Sequence, residues 1–337
     1  MRILLSIGVV LALFIGAIGA GIIYIKQRVE QPLMITEPQL YTVERGSSAY
    51  RVVKDLRQRS LTRISPFVAK VWLRVFATDT DIKSGTYALD EGMTLTSLMA
   101  KLTRGEEHYF SVSLVEGLTL TQWLDTLRQH QEHLVFDIDA NRISELVKNS
   151  PWAKYHDQPE GLFLADTYFY TANTKASVIL SRALSAMHEF ISVEWQKRQD
   201  DLPIDSPFEA LILASIIEKE TAVPAERSLI AGVFVNRLRK NMRLQTDPTV
   251  IYGIGEDFDG NITRKHLRTA TAYNTYVIKG LPPTPIAMAG KEAIMAALHP
   301  QTTEALYFVA RGDGSHAFST TLEAHNNAVR KYQLNKR

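Results

Sequence analysis

The sequence predicts a mixed α+β chain: an N-terminal transmembrane helix, then a small α/β region, then a larger region rich in helices. Three observations carry that prediction. Ile3 to Ile25 is a run of 23 residues without a charged side chain, and a helix needs about 20 to cross a hydrocarbon core. Between Tyr41 and Gln129 a short β-like stretch, a glycine turn and a capped helix recur. From Glu160 onward long apolar or amphipathic helical patterns dominate, with a hairpin pattern near the end, which is the segregated order of an α+β domain.

The apolar run has Arg2 before it and Lys26 and Arg28 after it, so flanking charge leaves its orientation open. With two residues ahead of the run and some 310 behind it, the expectation is a signal-anchor, N-terminus inside and bulk exported. A cleaved signal peptide competes, because Ala17 to Gly21 is rich in small residues, but such cores usually span about 7–15 residues. Gly8, Ala12, Gly16 and Ala20 recur every fourth residue, a spacing that permits helix pairing but is also common in lone spans. A net charge of +2, with no basic block, excludes the electrostatic footprint of a nucleic-acid binder. The absence of cysteine excludes disulfides, thiolate catalysis and cysteine-ligated metals.

Residues 1–28 are thus read as anchor and flanks, and 29–40, polar with two prolines, as a linker. The next region, 41–145, carries an internal echo. Glu91-Gly-Met-Thr-Leu-Thr-Ser-Leu-Met-Ala-Lys-Leu102 matches Glu116-Gly-Leu-Thr-Leu-Thr-Gln-Trp-Leu-Asp-Thr-Leu127, and Gly46 to Leu56 is a looser copy. In each, a Ser or Thr two residues past the glycine can cap the following helix. Apolar residues six and ten past the glycine then share one helix face: Val52 and Leu56, Leu98 and Leu102, Trp123 and Leu127. Small α/β modules of this kind include LysM-type glycan binders, which this region resembles; an α/β spacer without a ligand is the plainer alternative. Arg63 to Phe76 reads as a further helix and Ser84 to Leu89 as a strand.

The third region is expected over 155–337. Val178 to Arg198 is an amphipathic helix. Phe208 to Thr221 is apolar nearly all round before its last turn and must be buried. Ala225 to Lys240 is amphipathic again. Leu306 to Ala310 and Ala317 to Thr320 read as strands joined by the turn Arg311-Gly-Asp-Gly-Ser315.

Chemistry is expected around Glu218. It sits near the end of the apolar helix behind Ile216 and Ile217, where a low dielectric should raise its pKa and hold its proton for general acid catalysis. A helix-end glutamate in solvent or an ion pair is the alternative, since Lys219 and Glu220 show that this end reaches water. Gln245-Thr-Asp-Pro-Thr249 offers groups for sugar hydroxyls or for its own backbone, with Pro248 biasing Asp247 away from helix. Tyr252, Tyr273-Asn-Thr-Tyr276 and the extended Lys279-Gly-Leu-Pro-Pro-Thr-Pro285 form a third cluster suited to sugar rings and N-acetyl groups. The candidate substrate-binding residues are therefore Gln245, Thr246, Asp247, Tyr252, Tyr273, Asn274 and Tyr276. No metal-ligand spacing, phosphate loop, dinucleotide fingerprint or serine elbow is present, so no metal or cofactor is expected.

Taken together these strings resemble the endolytic murein transglycosylases, the YceG-like family. Leu213-Ala-Ser-Ile-Ile-Glu-Lys-Glu-Thr221, Val235-Asn-Arg-Leu238, Leu244-Gln-Thr-Asp-Pro-Thr-Val250, Tyr273-Asn-Thr-Tyr276 and Gly280-Leu-Pro-Pro-Thr-Pro-Ile286 carry the likeness, with Glu160 to Tyr168 and Gly314 to Phe318. Ala289-Gly290, where a Pro-Gly is expected, is a departure. The resemblance implies a single-pass enzyme of the bacterial inner membrane, N-terminus cytoplasmic and catalytic domain periplasmic. It would cut peptidoglycan strands internally between N-acetylmuramic acid and N-acetylglucosamine, leave 1,6-anhydro ends and limit the length of nascent strands, with the catalytic glutamate on Glu218. Peptidoglycan strands and the membrane are the implied partners, with peptidoglycan synthases as candidates; the oligomeric state is left open. Two rivals stand beside this expectation: a hydrolase pairing Glu218 with Asp247 or Glu220 as second carboxylate, and a non-catalytic glycan-binding scaffold.

Overall fold

The structure, a computed structural model, describes residues 2–77 and 80–334, with side chains from Ile7 onward. The outermost residues of the expected anchor and of the last region, 1 and 335–337, and the Arg2 side chain lie outside the described residues. The chain divides into two compact units, Met1–Phe110 with Tyr170–Ala172, and Ser111–Phe169 with Asn173–Arg337.

The first unit begins with α1 (Arg2–Val29). Its stretch Ile7–Val29 is long and apolar enough to cross a membrane: 23 residues at about 1.5 Å each make roughly 35 Å. The expected linker, 29–40, is packed into the unit, its ends belonging to α1 and to the strand that follows. Leu33 and Ile35 are buried, Leu33 N–H donates to Met93 O, and Met34 N–H to Leu61 O. Strand β1 (Gln39–Val43) comes next, then α2 (Ala49–Gln58), α3 (Pro66–Val75), β2 (Gly85–Leu89) and α4 (Leu95–Arg104). β1 and β2 pair antiparallel with Tyr41 opposite Tyr87. Tyr41, Val43, Tyr87 and Leu89 form a core with Val52, Leu56, Trp72, Leu98 and Leu102. The last turn of α1 enters it through Val29.

From Ser111 onward the second unit holds most of β3 (Phe110–Leu114), which pairs with β5 (Asp166–Tyr170). Between them lie α5 (Leu120–Gln129), β4 (Leu134–Val135) and α6 (Ala140–Lys148). β6 (Thr174–Lys175) pairs parallel with β4 and leads into α7 (Ala176–Gln196).

The recurrent unit read from the sequence forms three times. Gly46, Gly92 and Gly117 all hold a positive φ, 76–80°, where glycine carries no Cβ penalty. Ser48, Thr94 and Thr119 each accept a backbone N–H from the first turn of α2, α4 and α5, worth about 1 kcal/mol apiece. All six paired apolar residues are buried. The third copy lies in the second unit, where α5 packs Trp123 and Leu127 inward.

The heart of the second unit is α8 (Pro207–Glu220), started by Ser206, which accepts Glu209 N–H, and by Pro207 in the first turn, where no donor is lost. It is surrounded by α7, α9 (Arg227–Arg239), α10 (Asp247–Ile254) and α11 (Lys291–Leu298). That enclosure is why Phe208 and Ala210–Ile217 are buried on every face. The Val235-Asn-Arg-Leu238 string fastens the stretch beyond α11. Asn236 Nδ2 donates to Thr303 O and Ala305 O at 2.7 and 3.1 Å, and Arg237 Nε to Leu306 O at 2.7 Å. This delivers the antiparallel hairpin β7 (Tyr307–Ala310) and β8 (His316–Ser319), which α12 (Leu322–Val329) follows.

Candidate active site

Glu218 and Glu220 are two residues apart on α8, and at about 100° per residue their side chains leave the helix in nearly opposite directions. The two carboxyl groups therefore enter different surroundings. Glu218 Oε2 accepts Gly290 N–H at 2.9 Å, at the start of α11, and Oε1 lies 3.6 Å from Arg227 Nη2. Its side chain is 5% exposed. Burial raises its pKa as expected, Glu116 and Glu292 adding to the effect while the Gly290 amide and Arg227 oppose it. A second cavity, about 350 Å³, lies beside Gly290 and is lined by Glu116, Asp166 and Glu292, with Glu218 outside its lining. Glu218 thus has the chemistry of a buried helix-end acceptor with a cationic partner.

Glu220 is the last residue of α8, and the chain turns extended at Thr221 (φ −145°, ψ 135°). Its carboxyl lines the larger cavity, about 540 Å³, together with Gln245, Asp247, Tyr276, Arg237 and His316. It accepts the Thr246 hydroxyl. Burial raises its pKa; the Thr246 bond and His316 counter this, and Asp247 reinforces it. This end of the helix reaches water through exposed Lys219, while Glu220 is half-buried with Thr246, Asp247 and His316 around it.

The polar string 245–249 differs from the expected loop. Thr246 is the N-cap residue and Asp247 and Pro248 begin α10. Proline fits there because the first-turn N–H groups have no helical partner, which outweighs the bias it places on the residue before it. Gln245 holds φ +54°, an unusual conformation for a side-chain-bearing residue, and its N–H donates to Thr275 O. Thr275 binds this string to the tyrosine loop: its hydroxyl accepts Thr246 N–H at 3.0 Å and lies 2.8 Å from the Thr249 hydroxyl. Tyr276 then donates its hydroxyl to Asp247 Oδ1 at 2.7 Å. Burial followed by this bond raises the Tyr276 pKa and keeps the phenol protonated.

Of the other expected site residues, Thr246 is buried behind Glu220. Asn274 is 1% exposed. Its amide donates to His266 O and Thr269 O and accepts Tyr276 N–H, so it shapes the loop that presents Tyr276. Tyr252 and Tyr273 meet edge to face, centroids 4.9 Å apart. Tyr273 shares a 2.8 Å hydrogen bond with Thr284, and Tyr252 donates to Glu160 Oε2 at 3.4 Å. Glu160 also accepts Leu120 N–H, and burial pushes its pKa up to about 7. These two tyrosines are outside the lining of the Glu220 cavity.

Three groups near the site were not singled out in the sequence. Glu226 clamps His316, accepting its backbone N–H at 2.9 Å and Nδ1 at 2.7 Å. Arg237 enters the cavity wall from α9. Arg237 and Glu160 stand in the sequence only as members of longer motifs, and Glu160, bonded to Tyr252, is outside the cavity lining. None has a sequence signal of its own, since each depends on a partner more than 60 residues away.

The cavity therefore offers a protonatable carboxyl, a second carboxylate held by a phenol, a clamped imidazole and a cation, an arrangement suited to acid catalysis on a polar substrate.

The family model described as YceG-like matches residues 41–331. An endolytic murein transglycosylase of Bacillus subtilis is 34% identical over 269 residues, covering 75% of this chain and 74% of that protein. One of the same name from Streptococcus pneumoniae R6 is 26% identical over 331 residues, and the match covers 87% of this chain but 58% of the pneumococcal one. A 2.6 Å crystal structure of a YceG-like protein from Listeria monocytogenes aligns with TM-score 0.55 and 30% identity over 86% of this chain and 99% of that one. With the match spanning residues 41–331, the chain belongs to the YceG-like family.

Proposed function

We propose that this chain is a membrane-anchored endolytic murein transglycosylase, and that Glu220 is its general acid. The observation that carries the proposal is the Glu220 carboxyl in the wall of the 540 Å³ cavity, beside Asp247 and Tyr276 and with its pKa raised by burial. The relatives' shared name supplies the reaction class. Glu218, the sequence candidate, is the alternative acid. Its oxygens are engaged by Gly290 N–H and Arg227, which favours a structural role.

In the proposed reaction neutral Glu220 donates its proton to O4 of the departing N-acetylglucosamine as the C1–O4 bond breaks. Positive charge develops at C1 of the muramic acid. The Glu220 carboxylate then takes the proton of the C6 hydroxyl, and the new C1–O6 bond closes a 1,6-anhydro ring. The nucleophile belongs to the substrate, so no water needs activation, in contrast to the two-carboxylate hydrolases. Gln245, Asp247 and Tyr276 would orient the sugars. Asp247 in the same cavity also suits a hydrolase, and product mass separates the two.

The wider reading is a single-pass anchor at 1–28, a LysM-like glycan-binding region over 41–145 and a catalytic region over 155–337, exported to the periplasm and limiting nascent strand length. The buried apolar pairs of the first two repeats support a folded module from residue 41 up to Phe110, the third repeat packing within the second unit, and the length of α1 supports the anchor.

The test is digestion of uncrosslinked glycan strands by wild type, Glu220→Gln and Glu218→Gln, with the products weighed. Ends one water lighter than hydrolytic ones, lost only in Glu220→Gln, support the proposal. Reducing ends would establish a hydrolase, and binding without cleavage a scaffold.

A further inference from the structure

Arg237 is unusual among the charged groups of the second unit. It is 7% exposed, yet no carboxylate lies within ion-pair distance of it among the described residues. Its donors go to neutral carbonyls: Nε to Leu306 O, and Nη1 to Arg243 O and Leu244 O at 3.1 and 2.6 Å. The Tyr307 ring covers one face, 5.1 Å from the guanidinium carbon. Nη2 has no partner among the described residues and is not sealed from solvent.

A buried charge without a counter-charge is costly, and proteins ordinarily pair it. Here the guanidinium lines the same cavity as Glu220 and Asp247. His325, stacked on Tyr307 at 5.2 Å, lines it too, and burial followed by the Arg237 charge lowers the pKa of its imidazole toward the neutral form. His316 is already held by Glu226. Tyr276, on the same wall, is within electrostatic reach of Asp247, Glu220 and Arg237. The cavity wall thus carries both carboxylates and a guanidinium, with no ion pair joining them among the described residues.

We propose that Arg237 Nη2 is the anchor of a carboxylate-binding subsite, which orients an anionic group of the substrate so that the scissile bond falls at Glu220. The free N–H groups are on one nitrogen, so the contact is made through that nitrogen alone rather than as a fork across two. Resting on the murein reading above, the carboxylate has two sources: the lactyl group of muramic acid or the free carboxyls of a stem peptide.

The experiment separates binding from catalysis. The full chain in detergent, carrying Glu220→Gln so that substrate survives, is titrated with short glycan strands of four kinds: peptide-free with the lactyl carboxyl free or converted to carboxamide, and peptide-bearing with the stem carboxyls free or amidated. Losing one charge-assisted hydrogen bond should weaken binding roughly 10-fold or more. A difference confined to the peptide-free pair assigns the lactyl group, and one confined to the peptide-bearing pair assigns the stem. Arg237→Gln in the same background should erase the difference. Equal binding within both pairs overturns the inference, as does a difference that persists in a folded Arg237→Gln protein. If Arg237→Gln does not fold, the substrate comparison decides alone. In the active enzyme the same neutralisation should raise KM more than it lowers kcat. Cleavage that is equal for all four strands sinks the subsite and leaves the enzyme reading standing, whereas strands that bind and are never cut by wild type sink the enzyme reading instead.

Discussion

Replacing each of the two glutamates of α8 by glutamine separates chemistry from architecture. In Glu220→Gln the amide oxygen still accepts the Thr246 hydroxyl, and the burial penalty on a carboxylate disappears, so stability should hold or rise slightly. The proton for the leaving oxygen is gone, and general acid catalysis contributes roughly 10²–10⁴-fold, about 3–5 kcal/mol of barrier. In Glu218→Gln the amide oxygen still accepts Gly290 N–H, but Arg227, 3.6 Å away, loses its counter-charge. Exchanging a charged for a neutral acceptor beside a buried cation costs about 1–3 kcal/mol of stability. The assay is cleavage rate by mass spectrometry with thermal unfolding of the same preparations. Glu220→Gln should unfold as wild type does and lose at least roughly 100-fold in rate, while Glu218→Gln should unfold earlier and cut within a few-fold of wild type. A folded Glu218→Gln that is inactive, with Glu220→Gln active, would refute the reasoning and restore Glu218 as the acid.

Glu160 makes stability pH-dependent. Its folded pKa, about 7, lies above the ordinary 4.5, so the contribution is fully present below pH 4.5 and is lost as pH rises through 7, amounting to about 3 kcal/mol. Glu160→Gln should flatten the fall in melting temperature between pH 5 and 8; an unchanged slope would place the effect elsewhere. The pKa of Glu220 is raised as well, so cleavage should fall on the alkaline side as the acid loses its proton, measurable in a kcat profile. Gly232→Ala should destabilise by about 1–3 kcal/mol through overpacking, because its Cβ would meet Gln301 O and the Thr303 methyl; urea unfolding reads this directly. Thr94→Ala and Thr119→Ala should each cost about 1 kcal/mol by removing a cap, seen in the same titration.

The features legible in the sequence are local. Glycine at positive φ, a Ser or Thr cap two residues on, and apolar residues four apart act within a dozen residues, so the three repeated units, a buried helix within 208–221 and a hairpin within 306–320 were legible in the sequence. The motif strings named Gln245, Thr246, Asp247 and Tyr276, which the structure gathers beside Glu220. The tertiary structure decided which glutamate faces the cavity, because two carboxyls on one helix differ only in what other segments bring to them. Gly290 and Arg227 come to one side of α8, and Thr246, Asp247 and His316 to the other. It also turned the expected polar loop at 247 into a helix start, and set Arg237 and the Glu226–His316 clamp in place through contacts across 69 and 90 residues. Burial and pairing across such distances are properties of the packed chain, and no local pattern encodes them.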